Sequence, residues 1–180
     1  MGMDGLQDLL HDELKDIYDA EKQLTKALPK LVKKASSSEL KEALQSHLKE
    51  TEGHIDRLEE VFEQLGLPVR GKKCEGMQHL IAEGNDMISE AEDDATRDAL
   101  LIAAAQKVEH YEISAYGTAR TMAGQIGLPA IATLLNRSLA EEEIADNLMT
   151  QLARELMSEA RTGMTKAPKR ARTALSVDEE

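Results

Sequence analysis

The sequence predicts an all-α protein, a bundle of four long helices with a short fifth crossover helix between helices two and three. Aromatic residues make up only 2% of the 180 residues, so the core must consist of Leu, Ile, Ala, Val and Met side chains. The abundance of Ala, Leu, Glu and Lys favours long helices over strands. Apolar residues also recur every three or four positions, which is the spacing of one helix face.

Turn residues divide this helical pattern into two pairs of helices. The first helix is predicted over about residues 3–35, and Ser36 to Ser38 with Glu39 offer a capping box that would start the second. The second helix ends at Gly66-Leu67-Pro68, and the same triplet recurs as Gly127-Leu128-Pro129 at the end of the third long helix. Glycine reaches the left-handed conformation that ends many helices, and proline cannot continue one.

The connection between the two pairs is long. Residues 75–91 carry a weaker apolar pattern that we interpret as the crossover helix, followed by long helices over about residues 96–126 and 129–160. A crossover of this size favours the ferritin-like topology over a simple up-down-up-down bundle. We assign residues 1–160 to this single domain. Residues 161–180 have no apolar period and are predicted to be a disordered tail.

Charge and composition exclude several classes of partner. The formal net charge of −12 repels nucleic acid phosphates and anionic membrane surfaces. No stretch approaches the roughly 20 apolar residues that a membrane-spanning helix requires. Cys74 is the only cysteine, which excludes an intrachain disulfide and a Cys-rich metal site. We expect a soluble, cytoplasmic protein that binds neither nucleic acid nor membranes.

Glutamate occurs in step with the apolar residues of the long helices. Positions three or four apart share a helix face, so these carboxylates are predicted to point into the bundle. Buried carboxylates are too costly to leave unpaired, whereas two divalent cations can offset several of them. Histidine nitrogen in the second helix would complete their coordination. The sequence therefore predicts a site for two iron or manganese ions, with the ligands Glu21, Glu50, His54, Glu109, Glu112 and Glu142.

Other polar residues have more ordinary interpretations. Glu141 is as well suited to a solvated boundary as to the interior. His47 lies in step with the buried face, but a lone histidine is more often structural than a ligand, so it is left out of the predicted set. The tyrosines Tyr18, Tyr111 and Tyr116 are more often core or interface residues than hydrogen-bond donors to metal ligands.

Four stretches of the chain resemble the ferritin-like stress proteins of the YciE/YciF type. They are LHDELKDIYDAEKQL, SHLKETEGHIDRLEEVFEQLG, VEHYEISAYGTARTMA and LAEEEIADNL, and they follow one another over about residues 3–160. That family is known mainly as dimeric, all-α bacterial stress proteins similar to rubrerythrin. The resemblance therefore implies a ferritin-like stress protein that forms a homodimer.

Rubrerythrin-like sites imply a particular ligand pattern. They take a glutamate from helix one, a Glu and a His three apart in helix two, two Glu three apart in helix three, and a Glu with a nearby His in helix four. The matching residues here are Glu21, His54, Glu109, Glu112 and Glu142. Thr51 stands where the helix-two glutamate is expected, so Glu50 or Glu52 would have to substitute. Helix four has no histidine, with Ala145 or Asp146 near the expected place.

Two functions follow from these observations. The first is a stress-response protein with a dinuclear iron or manganese centre, which acts on peroxide or oxygen or sequesters metal. If it is an enzyme, it is a peroxidase- or catalase-like oxidoreductase, and manganese catalase-like disproportionation would need no external electron donor. The second is a non-catalytic, dimeric interaction protein on a degenerate ferritin-like scaffold. Fold alone does not choose between them.

Overall fold

The computed structural model describes residues 5–164, which form five α-helices. They are α1 (Leu6–Lys34), α2 (Ser38–Gln64), α3 (Glu75–Ser89), α4 (Asp94–Gln125) and α5 (Pro129–Met164). Helix α1 packs on α2 and α4 packs on α5, while contacts of α1 with α4 and of α2 with α5 close the four-helix bundle. Helix α3 connects α2 to α4 and packs on α4 and α1. This is the all-α, ferritin-like bundle with a crossover helix that the sequence predicts.

The helix limits differ from the predicted ones by a few residues. The predicted domain limit at residue 160 falls inside α5, which continues to Met164. Residues 165–180 of the predicted tail lie outside the described residues. Across residues 5–164, none of the helices combines the length and apolarity that crossing a bilayer requires.

The start of α2 is held by a buried carboxylate as well as by its own cap. Ser37 is the N-cap residue, and its hydroxyl accepts a hydrogen bond of 3.2 Å from the backbone N–H of Leu40. The backbone N–H groups of Ser36 and Ser37 each donate to the Asp98 carboxylate at 2.8 Å. Asp98 belongs to α4, so this connection ties the first helical pair to the second.

The two Gly-Leu-Pro triplets end their helices as predicted. Gly66 and Gly127 have φ values of 64° and 80°, in the left-handed region. The following N–H groups close the last turns, because Leu67 donates to Phe62 O and Leu128 donates to Ala123 O, each at 2.9 Å. These bonds are the Schellman pattern, which satisfies carbonyl groups at the helix end.

The apolar core is divided into two clusters along the bundle axis. Along α1, Ile17 belongs to one cluster and Leu24 to the other; along α4, Ala115 and Val108 are divided in the same way. Between the two clusters, the side chains that point into the bundle are polar and buried. They come from all four long helices and form what we call the polar layer: Glu21, His47, Thr51, His54, Glu109, Glu112 and Glu142.

We expect Gly127→Ala to destabilise the protein by about 1–2 kcal/mol, because a Cβ is strained in the left-handed region. Gly124 is the matched control, since it lies inside α4 and a Cβ added there meets no atom within 4 Å. Gly124→Ala should stabilise the protein by about 0.5–1 kcal/mol through its higher helix propensity. Urea unfolding followed by circular dichroism measures both changes. Effects of the same sign in the two variants would contradict this account of the helix end.

Candidate metal centre

The polar layer places four carboxylates and two imidazoles in the interior of the bundle. The exposed fractions are 0% for Glu21, His54 and Glu142, 1% for Glu109 and Glu112, and 3% for His47. Acidic side chains are almost never this buried unless they are paired or bind metal. The layer is therefore the region of the fold that needs a chemical explanation.

One half of the layer is a three-residue group. His54 Nδ1 lies 3.1 Å from Glu21 Oε1 and 2.8 Å from Glu142 Oε1. The potential ligand atoms of Glu21, His54 and Glu142 all lie within 4.8 Å of one another. These residues come from α1, α2 and α5, so the group exists only in the folded bundle.

The other half is a four-residue group that shares a carboxylate with the first. His47 Nε2 lies 3.2 Å from Glu109 Oε1 and 3.9 Å from Glu142 Oε2. Ligand atoms of His47, Glu109, Glu112 and Glu142 again lie within 4.8 Å of one another. Glu142 thus directs one oxygen at each group. A carboxylate in that position is suited to bridging two cations.

Most polar atoms of the layer form no hydrogen bond with another protein group. These atoms are both oxygens of Glu112 and Glu142, Oε2 of Glu21 and of Glu109, and both ring nitrogens of His47. The short approach of His47 to Glu109 therefore lacks hydrogen-bond geometry. Buried polar atoms without partners are rare in proteins and call for a ligand. Carboxylate oxygen with imidazole nitrogen is a donor set that fits manganese or iron.

Burial and mutual repulsion change the pKa values in the layer. Burial, reinforced by neighbouring carboxylates including Glu142 and Glu21, raises the pKa of Glu109 and of Glu112 well above its ordinary value. Burial alone would lower the pKa of His54, but its close contacts with the carboxylates of Glu142 and Glu21 outweigh burial and raise that pKa to about 10. For Glu142, burial would raise the pKa, but the close contact with His54 outweighs burial, so the pKa of Glu142 is lowered. In the absence of cations, the protons bound to Glu109, Glu112 and His54 therefore limit the net negative charge of the layer.

Residues around the layer hold two of its members in place. Tyr116, fully buried, donates a hydrogen bond to Glu21 Oε1. On the other side, His54 Nε2 lies 2.9 Å from Glu141 Oε2. Arg57 donates to the same Glu141 oxygen and, at 2.6 Å, to the Ser138 hydroxyl. Because the outer nitrogen of His54 is engaged in this way, its Nδ1 is the atom that faces the layer.

Five of the six predicted ligands meet in the layer: Glu21, His54, Glu109, Glu112 and Glu142. Glu50 lies at the rim, where its side chain is 38% exposed and Oε2 is 3.6 Å from His47 Nδ1, and it belongs to neither group. His47, which the sequence argument set aside, provides the second imidazole. Its seven-residue spacing from His54 puts both on one face of α2 and was the available signal.

The remaining polar residues also have defined places. Glu141 is 32% exposed, as a boundary residue would be, yet it binds His54. Tyr18 donates to Glu59 at 2.8 Å and Tyr111 donates to Asp16, so neither bonds a group member. Thr51 is fully buried in the layer, and its hydroxyl forms no hydrogen bond with the protein.

Fold and site together define a ferritin-like four-helix protein with a buried glutamate and histidine cluster that could hold metal. The chain belongs to the DUF892 family, whose description is "Domain of unknown function" and whose model matches residues 5–162. It is 46% identical to protein YciF of Escherichia coli strain K12 over 154 residues, which cover 85% of this chain and 93% of that protein. The resemblance to YciF-type proteins is therefore confirmed.

Solved structures agree with this assignment. The crystal structure of the E. coli stress protein YciF has a TM-score of 0.83 at 44% identity and covers 87% of this chain and 99% of its own. YcfI of Rhodopseudomonas palustris has a TM-score of 0.80 at 41% identity, with coverages of 82% and 94%. A two-domain Anabaena variabilis protein with DJ-1/ThiJ/PfpI-like and ferritin-like domains shares the fold, with a TM-score of 0.54 at 18% identity, covering 98% of this chain and 43% of its own.

We expect the metal-free protein to lose stability as the pH rises from 6 to 9. Folding raises the pKa values of Glu109 and Glu112, so the folded state binds more protons than the unfolded state once the pH exceeds their ordinary value of 4.5. His54 acts in the same direction, because its contribution is full below its ordinary pKa of 6.5 and is lost as the pH approaches about 10. Thermal unfolding of chelator-treated protein at several pH values measures the slope.

Glu112→Gln should reduce this slope and stabilise the metal-free protein at pH 8 by about 1–3 kcal/mol, since it removes a buried carboxyl group that folding forces either to retain a proton or to remain charged without a partner. Glu143→Gln is the control, because Glu143 is exposed one position after Glu142. An unchanged pH dependence in Glu112→Gln would show that the raised pKa of Glu112 does not contribute to the loss of stability at high pH.

Proposed function

We propose that this protein binds two iron or manganese ions in the polar layer, and that it serves the stress response by acting on a small oxidant or by holding the metal. The observation that carries the proposal is the set of eight buried oxygen and nitrogen atoms of Glu and His in the layer that form no hydrogen bond with the protein. Ordinary core packing does not explain so many unpaired polar atoms on four different helices.

The charges in the layer support a pair of divalent cations. Four ionised carboxylates carry a charge of −4, and two divalent cations carry +4, so the loaded layer would be neutral with both histidines uncharged. Binding would require Glu109, Glu112 and His54 to release the protons that their raised pKa values retain. Metal affinity should consequently increase with pH.

Each group in the layer would hold one ion. Glu21 and His54 would serve the first, His47, Glu109 and Glu112 the second, and Glu142 both. Iron or manganese bound there would supply redox chemistry toward oxygen or peroxide. The chain itself contributes orientation, since Tyr116 fixes Glu21 and Glu141 fixes His54. The apolar clusters on both sides exclude water, which strengthens electrostatic interactions within the layer.

The stress-response part of the proposal rests on family membership. E. coli YciF is described as a stress protein, and this chain is similar to it over most of its length. The composition limits how electrons could reach the metal. The sequence has one cysteine, Cys74, so it has no pair of thiols that could pass electrons to a metal ion. Disproportionation of peroxide, or turnover with an external reductant, is consistent with such a chain.

We expect two manganese or ferrous ions per chain after anaerobic loading and desalting, measured by elemental analysis. Glu142→Ala should lose both ions because it serves both groups, whereas Glu21→Ala should retain one. Saturation at 100 times the dissociation constant should stabilise the wild type by about 2.7 kcal/mol for each ion bound. Glu143→Ala, which changes an exposed neighbour, is the control. Wild-type protein with no metal above background would refute the proposal.

Arg57→Gln should weaken metal binding by about 10- to 100-fold without changing the stoichiometry, because Arg57 positions Glu141, which in turn orients His54. Arg120→Gln is the control, since Arg120 bonds Asn136 at the surface. Titration with manganese, followed by calorimetry, gives both affinity and stoichiometry. Equal affinities in the two variants would mean that the orientation of His54 does not depend on Arg57.

A second candidate function is a non-catalytic interaction protein, with a second copy of this chain as its first partner. Helix α5 exposes Ile144 by 66% and Leu148 by 39%, one turn apart, which would suit a contact surface. YcfI of R. palustris has been ascribed a structural role, without proof, in its description. This candidate is preferred if the wild type fails the metal-loading experiment.

A further inference from the structure

An apolar cavity adjoins the four-residue group of the polar layer, which we call the second metal group because it would hold the second ion. It lies among α1, α3 and α4, and it leaves about 30 Å³ free to the centre of a water-sized molecule. His47 and Glu109 of the polar layer are part of its wall, and the rest is mainly Leu, Ile, Ala and Val. We call it the side cavity. Glu21 and His54, which belong only to the three-residue group, do not line the side cavity.

The side cavity extends from the surface region toward the layer. Ile81 of α3 and Leu31 of α1 are half-buried parts of its wall, whereas Leu28 and Ala104 are buried. His47 and Glu109, which belong to the polar layer, are 3% and 1% exposed. The wall of the cavity therefore includes half-buried residues of α1 and α3 as well as two members of the second group.

Most of the cavity wall offers few hydrogen-bonding groups to a polar molecule. Asn85 also lines the cavity, but its amide is already engaged, since Nδ2 donates to Ile81 O at 2.9 Å and Oδ1 accepts from Lys34 Nζ at 3.3 Å. Free polar atoms are consequently concentrated at His47 and Glu109. A water needs two to four polar partners, so an apolar passage of this kind tends to stay dry.

Small residues set the width of the side cavity. Gly84 of α3 is buried, and a Cβ added to it would lie 3.0 Å from the Ala104 Cβ on α4. Two further alanines, Ala27 and Ala105, line the same space. A methyl group added at Gly84 would press on Ala104, so larger side chains on the alanines are the way to reduce the space without removing any polar group.

We propose that the side cavity binds small apolar molecules and admits dioxygen to the second metal group. Hydrogen peroxide carries two O–H donors and would lose hydrogen bonds to water along an apolar passage, so it is disfavoured there. Dioxygen has no such cost. Binding of an apolar molecule depends on the cavity alone, whereas its consumption rests on the proposed function of the layer.

Xenon is the probe for the binding step, because dry apolar cavities bind it. Crystals pressurised with xenon should show anomalous scattering in the side cavity of the wild type and lose it in Ala104→Val. Ala43→Val is the matched control, because Ala43 and Ala104 are both 7% exposed and belong to the same apolar cluster, but Ala43 does not line the cavity. If Ala104→Val fails to fold, Ile81→Phe blocks the half-buried end instead. A wild type without xenon in the cavity overturns the proposal.

Oxidation of the ferrous-loaded protein tests the route. Dioxygen should oxidise the metal several-fold more slowly in Ala104→Val than in Ala43→Val at equal iron content, while oxidation by hydrogen peroxide should be unchanged. Equal dioxygen rates, or equal slowing with both oxidants, would overturn the assignment of dioxygen to this path. Protein that binds no metal would overturn the proposed function, and xenon in the cavity would still support the binding site.

Discussion

The burial of four carboxylates in one layer is the constraint on which the rest of the structure depends. Removing an ionised carboxylate from water is costly, and placing several together adds repulsion. The polar layer responds in two ways: burial raises the pKa values of Glu109 and Glu112, and His54 stays protonated between Glu21 and Glu142. Both responses retain protons where cations would otherwise supply the positive charge. A layer of this composition is therefore poorly stabilised by protein groups alone.

The scaffold compensates for this layer with apolar packing on both sides. One cluster contains Leu10, Leu58 and Leu135, and the other contains Leu24, Leu44 and Leu101, each drawn from several helices. Burial of such side chains contributes about 1.5–3 kcal/mol each, which is enough to hold helices around an unfavourable polar centre. The same packing keeps the donor atoms in fixed positions and dry. The residues that stabilise the bundle and the residues of the candidate site thus lie at different positions along the bundle axis.

Much of the fold was predictable because its signals are local. The spacing of Leu and Ile within a helix, and the repeated Gly-Leu-Pro triplet, depend on neighbouring residues along the chain. Contacts between residues that are far apart in the chain were not predicted. Asp98 is in α4, yet it binds the backbone at Ser36 and Ser37, more than sixty positions away. No spacing within a helix indicates which turn of another helix its side chain will meet.

The sequence by itself determined which residues face the interior, because helical periodicity assigns each position to a face: Glu21, Glu109, Glu112 and Glu142 are all buried as expected. Tertiary structure decided which of those residues meet. It brought His47 into a group with Glu142, gave that glutamate one oxygen for each group, and left Glu50 at the rim. The physical reason is that the rotation and axial offset between helices are set by the packing of side chains from different helices. The sequence pattern of one helix does not specify that packing.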